Sequence, residues 1–108
     1  MSQIGEIDPI ALKHRRDQGE DVFVLDVREP QEIEIAPFPG AAHIPMGDIP
    51  SRLTELDSDR ETVVVCHHGV RSAQVAIYLA RMGFERVFNL TGGIDAWSEE
   101  VDPSTPRY

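Results

Sequence analysis

Cysteine is almost missing from this chain: Cys66 is the only one. No internal disulfide can form, so a small core must hold without a covalent staple. Positive charge is scarce too. One lysine and nine arginines face 19 carboxylates, for a net charge of −9. Such a balance argues strongly against nucleic acid, whose phosphates need a basic surface. It also constrains any small anionic substrate, which must find a local patch of positive potential inside a repulsive field. Long apolar runs are absent, and nothing approaches the roughly 20 residues that span a bilayer. The opening MSQIGEIDPI has neither the basic nor the apolar region of a signal peptide, so a cytoplasmic, membrane-free protein is expected. Repeats, low-complexity tracts and linkers are missing as well. A chain of 108 residues with a 41% apolar fraction then reads as one domain, 1–108, around a single core.

What is present alternates. Apolar β-branched runs take turns with helical patterns, the signature of an α/β domain with a mainly parallel sheet. A short strand is expected near Ile4–Ile7. Asp8 can cap a helix with Pro9 in its first position, Lys13–Arg16 suit the C-terminal dipole, and Gly19 stops it. Val22–Val27 is a continuous apolar run, as in a central strand covered on both faces. Glu32–Ile35 fits either a strand or a helical turn, and periodicity does not decide between them. Pro37, Pro39 and Gly40 force a loop. Ala42–Ile44 reads as a short strand, and Asp48 as the cap of a helix with Ile49, Leu53 and Leu56 on one face. Thr62–Cys66 is a second buried strand. A helix is expected from Ser72 to Met82, ending at Gly83, with Val75, Ala76, Leu79 and Met82 as its core stripe. RVFNL supplies a last strand. Gly92–Gly93 marks a tight turn before a short final helix in which Trp97 fills core, and 101–108 is an extended tail with a mobile tip.

The chemistry concentrates at Cys66. In open parallel sheets, ligands bind beyond the C-terminal ends of the strands, and Cys66 stands at such an end. The sequence Cys66-His67-His68-Gly69-Val70-Arg71 then leads straight into a helix. A turn this tight points backbone N–H groups inward, and the helix adds its own unsatisfied first-turn donors. The expected product is an anion cradle with sulfur at its base, in which Gly69 permits a positive φ. Such donors, with Arg71 nearby, should depress the thiol pKa and make Cys66 a nucleophile. Cysteine phosphatases hold phosphate in a C-x5-R loop, whereas Cys66 to Arg71 reads C-x4-R. The smaller ring suits one added sulfur better than three phosphate oxygens.

The pattern C-x-x-G-x-R-S (Cys66, Gly69, Arg71, Ser72) resembles the active-site loop of rhodanese-like sulfurtransferases. LDVREP (Leu25 to Pro30) and GGIDAW (Gly92 to Trp97) resemble that family's upstream and downstream motifs, in the expected order. PGAAHIPMGDIPSRLTEL and EEVDPSTPRY are further similar to the rhodanese domain fused behind sulfur-carrier adenylyltransferases. The resemblance implies a five-stranded parallel sheet flanked by helices on both faces, with no cofactor. It also implies that Cys66 takes the outer sulfur of thiosulfate, releases sulfite, and passes the sulfur to cyanide, a thiol or a sulfur-carrier protein. Two other classes compete: an interaction module that docks to a partner with little thiosulfate turnover, and a cysteine phosphatase.

Around Cys66, the residues His67, His68, Gly69, Val70, Arg71 and Ser72 are assigned to substrate binding. Arg71 is expected to draw in the anion, against the alternative of a salt bridge to a carboxylate. Ser72 is expected to cap or open the helix. Asp26 and Arg28 lie on the same sheet edge, where a structural ion pair is the favoured reading and Arg28 the better catalytic candidate. His67 and His68 beside Cys66 lack metal-ligand spacing, so no metal is expected, and both should line the mouth of the loop.

Overall fold

The computed structural model describes residues 4–108; Met1–Gln3, which the one-domain reading includes, lie outside the described residues. Five strands form one sheet: β1 (Gly5–Ile7), β2 (Phe23–Asp26), β3 (Ala42–His43), β4 (Thr62–Val65) and β5 (Val87–Leu90). Their order is β1-β5-β4-β2-β3, and every pairing is parallel. Helices α1 (Pro9–Asp17), α2 (Pro30–Ile35) and α3 (Val70–Arg81) connect successive strands, short 3-10 segments join β3 to β4, and α4 (Gly93–Glu100) follows β5.

The central strand explains the layering. All four residues of β4 are buried, as required of a strand covered on both sides. Successive side chains alternate between faces. Val63 and Val65 therefore join Leu12, Phe38, Ile94 and Trp97 on one side of the sheet. Val64 and Cys66 join Val75, Leu79 and Phe84 on the other. Helices α1 and α4 cover the first face and α3 the second, so the expected arrangement of helices on both faces holds.

Several boundaries differ from expectation, each for a local reason. The ambiguous segment after Pro30 is helical. Pro30 occupies the first turn, and Glu29 with Glu32 forms a reciprocal capping box. No single helix follows Asp48. Met46–Asp48 and Pro50–Glu55 are two short 3-10 segments, and Arg52 leaves helical geometry at φ −114, ψ 15. Pro50 has no N–H to bond back to the Met46 carbonyl, which an α-helix continuous from Met46 would need. The apolar side chains still do their expected work: Ile49 is buried, with Leu53 and Leu56 packed against the same core.

Helix α3 begins at Val70, two residues before Ser72, because Gly69 supplies a left-handed cap at φ 100. Ser72 thus lies inside the helix and does not cap it. At the other end Met82 has already left the helix and is 48% exposed, so Ala80 takes its place beside Val75, Ala76 and Leu79. The tail after α4 has no regular structure but folds back. Ser98 Oγ donates to the Thr105 carbonyl at 2.5 Å, and Arg107 forks onto Asp95 at 2.9 and 3.0 Å. Among the described residues, no helix is long and apolar enough to cross a membrane.

Candidate functional site

Parallel pairing of β2 with β4 sets Asp26 beside Val65, so Asp26, Arg28 and Cys66 share the C-terminal edge of the sheet. Cys66 is 1% exposed. Its Sγ accepts the Gly69 N–H at 3.1 Å and lies 3.2 Å from Ser72 Oγ. Ser72 Oγ in turn donates to Asn89 Oδ1 at 2.5 Å, and Asn89 Nδ2 donates to the Gly69 carbonyl at 3.1 Å. The loop is therefore fastened to β5 through one amide side chain. A neutral thiol would donate to Ser72; a charged sulfur would instead accept the hydroxyl proton. Sequence reading missed Asn89, whose only signal is a lone amide inside the apolar strand VFNL.

From below, the loop rests on α4. Ile94 N–H donates to the Cys66 carbonyl at 2.9 Å and Asp95 N–H to the His67 carbonyl at 3.1 Å. First-turn amides of a helix have no partner of their own, and here they hold the loop carbonyls in place. That contact requires Gly93, at φ +61.

The charged residues close on one another. Arg28 is fully buried, and all three of its guanidinium nitrogens are engaged. Nε and Nη2 bond the Asp26 carboxylate, Nη2 also reaches the Ala36 carbonyl at 2.7 Å, and Nη1 reaches Tyr108 Oη at 2.9 Å. Asp26 and Arg28 are thus brought together as a buried brace. His43 Nε2, 2.6 Å from the Arg28 carbonyl, ties β3 to the same point. Arg71 is turned towards Glu32 of α2: its Nη1 and Nη2 fork onto the carboxylate at 2.6 and 2.9 Å. Of the two sequence readings for Arg71, the structure has the salt bridge. Tyr108 completes the rim, with its hydroxyl donating to Glu32 Oε2 at 2.7 Å. Its ring stacks on His67 at 3.8 Å between centroids, and His67 stacks on His68 at 3.9 Å. Burial, then the neighbouring His68, lowers the His67 pKa, which keeps that ring neutral at neutral pH. Val70 is 68% exposed and points away from the core.

His67, His68 and Asp95 each offer one ligand atom, all within 4.8 Å of one another. Asp95 is already forked by Arg107, and the two imidazoles are stacked face to face. The trio is built as a stacking and ion-pair cluster.

The Arg71 fork draws the Glu32 carboxyl from its ordinary 4.5 down to about 2. A carboxyl held low in the folded state stabilises that state above its unfolded pKa, and the contribution is lost as pH falls through the folded value. The contribution is complete above pH 4.5 and gone below about pH 2. Arg71 is 34% exposed, so solvent screening holds it to about 1 kcal/mol. Glu32→Gln should therefore cost about 1 kcal/mol at neutral pH. The gap to wild type should shrink as pH falls from 4.5 towards 2, read from urea midpoints; a gap independent of pH would rule the pair out as its source.

Comparisons with known proteins point to one family. The family model described as rhodanese-like domain matches residues 8–100. A sulfurtransferase of Allochromatium vinosum is 43% identical over 100 residues, covering 93% of this chain and 94% of that protein. The thiosulfate sulfurtransferase GlpE of Pseudomonas syringae is 35% identical, covering 90% of each. A crystal structure of a rhodanese-like domain protein from Staphylococcus aureus superposes with a TM-score of 0.84 at 31% identity, covering 97% of this chain and 99% of that one. With residues 8–100 matched by the family model and relatives 35–43% identical over nine-tenths or more of this chain, the chain belongs to the rhodanese-like domain family.

Proposed function

We propose that this domain is a sulfurtransferase that carries sulfur as a persulfide on Cys66. The observation that carries the reading is the position of Sγ: at the end of β4, on the floor of the C-x4-R loop, accepting the Gly69 N–H at 3.1 Å. Thiolate Sγ attacks the outer sulfur of a donor such as thiosulfate. A sulfur–sulfur bond forms to Cys66, the bond between the donor's two sulfurs breaks, and sulfite leaves with its electron pair. The terminal sulfur of the persulfide is then taken by a nucleophilic acceptor: cyanide, a thiol or a sulfur-carrier protein. Two half-reactions through one covalent intermediate give ping-pong kinetics. The Gly69 amide directed at the sulfur stabilises negative charge without reorganising during the reaction. In this scheme His67, His68, Gly69 and Ser72 shape the pocket, Asp26 and Arg28 brace its wall, and no metal takes part. The names of the relatives support sulfur transfer as the reaction class. A lone free thiol fits the reducing cytoplasm.

Incubation with thiosulfate should add one sulfur atom to Cys66, read by mass spectrometry of the peptide. Cyanide should then remove it as thiocyanate. A peptide left unmodified by both thiosulfate and an organic persulfide would overturn the proposal.

A further inference from the structure

Arg71 is the one cation inside the cysteine loop sequence, and it lies within electrostatic range of Cys66. Both of its η nitrogens are nonetheless committed to Glu32. Glu32 is itself held from other sides. Its Oε1 accepts the Glu29 N–H at 3.1 Å and its Oε2 accepts the Tyr108 hydroxyl at 2.7 Å. The carboxylate is 16% exposed, so it is anchored and cannot simply swing aside. The neighbouring guanidiniums are committed too. Arg28 serves Asp26, the Ala36 carbonyl and Tyr108, and Arg107 serves Asp95 with Glu99 further off at 3.8 Å. Burial keeps His67 neutral. A donor entering the loop thus meets a neutralised Arg71–Glu32 pair on a chain of net charge −9.

We propose that Glu32 sets the donor specificity of this site: by holding Arg71 through both η nitrogens, it disfavours dianionic sulfur donors relative to donors bearing a single negative charge. The inference rests on the reading of Cys66 as sulfur acceptor. Thiosulfate brings two charges to a sulfur that already carries one. An organic thiosulfonate brings one charge in nearly the same shape. In that reaction the Cys66 thiolate bonds the terminal sulfur, the donor's sulfur–sulfur bond breaks, and a sulfinate leaves with the electron pair, so the total charge is the same before and after.

The test compares thiosulfate with methanethiosulfonate, using cyanide as acceptor and thiocyanate as readout. The quantity is the ratio of their kcat/KM values, compared between variants so that intrinsic leaving-group reactivity cancels. Glu32→Gln preserves the backbone cap and frees Arg71. A unit charge about 6 Å away, at an effective dielectric of about 40, is worth roughly tenfold per substrate charge. The ratio of thiosulfate to methanethiosulfonate should therefore rise about tenfold in Glu32→Gln. Glu34→Gln makes the same change of net charge at an exposed position of the same helix, and it should leave the ratio within about twofold.

Wild type alone supplies a second reading that needs no variant to fold. Between about 0.01 and 0.15 M salt, where the screening length falls from about 30 to 8 Å, kcat/KM for thiosulfate should rise, and rise more than for methanethiosulfonate. A fall with salt would show an available cation and overturn the proposal. An unchanged ratio in Glu32→Gln, or an equal shift in Glu34→Gln, would overturn it as well, while leaving sulfur transfer through Cys66 intact. If neither donor loads Cys66 but an organic persulfide does, this inference alone is overturned; if the persulfide fails as well, the sulfurtransferase reading falls with it.

Discussion

Gly93→Ala should destabilise the protein by about 3 kcal/mol or more and abolish whatever chemistry Cys66 performs. Gly93 stands at φ +61, where an added Cβ would lie 2.4 Å from the His67 carbonyl oxygen and 2.5 Å from the Cys66 carbonyl oxygen. Both are backbone atoms of the cysteine loop and have no rotamer to escape into. The left-handed conformation alone costs an alanine roughly 1–2 kcal/mol. To relieve the overlap α4 must retreat, and its retreat lengthens the bonds from Ile94 and Asp95 to the loop carbonyls. Each such bond contributes about 1 kcal/mol net. Gly47 provides the control, because a Cβ there meets nothing within 4 Å, so Gly47→Ala should stay within about 0.5 kcal/mol of wild type. Urea midpoints for the three proteins decide the matter. A Gly93→Ala protein as stable as the Gly47→Ala control would mean that the helix does not brace the loop.

Arg28→Met should be of similar severity, about 3–5 kcal/mol. Removing the guanidinium leaves the Asp26 carboxylate, 2% exposed, buried opposite no positive charge. It also strips the Ala36 carbonyl of its donor. Taking one partner from a buried pair is costly because the other cannot return to water. Replacing both partners by apolar groups is far milder, so Asp26→Leu combined with Arg28→Met should recover most of the loss. The double-mutant cycle then isolates the coupling between them. If the double variant proved as unstable as the sum of the two single variants, the pair would not be the energetic unit described above. Loss of stability with wild-type kinetics in the folded fraction would mark Arg28 as structural; a fall in kcat at full folding would revive its catalytic candidacy.

Legibility varied along the chain according to the range of the forces involved. Strand β4 could be read from Thr62–Cys66 because burial on both faces leaves a continuous apolar run. Helix α1 could be read from Asp8 and Pro9, since its cap is local: Asp8 Oδ1 accepts the Ala11 N–H at 2.7 Å. The run from Asp48 misled for an equally local reason. An apolar spacing compatible with one helix was broken at Pro50, and two 3-10 segments bury the same side chains with a different backbone. At Ser72 the error was one of register. Gly69, by entering the left-handed region, starts α3 early and turns the serine hydroxyl inward to the sulfur and Asn89.

Sequence alone determined that strands and helices alternate, that the lone cysteine ends a buried strand, and that a short glycine-containing loop leads from it into a helix. Those features follow from side-chain periodicity and backbone preference within a few neighbouring residues. Tertiary structure decided the rest: that Arg71 answers to Glu32, 39 positions away, that Asn89 fastens the loop to β5, that α4 supports the loop carbonyls, and that Tyr108 stacks on His67. Each of these contacts depends on the order and register of parallel strands and on the reach of individual side chains. No local pattern encodes them, because the energy that selects them appears only once the sheet has brought distant residues to the same edge.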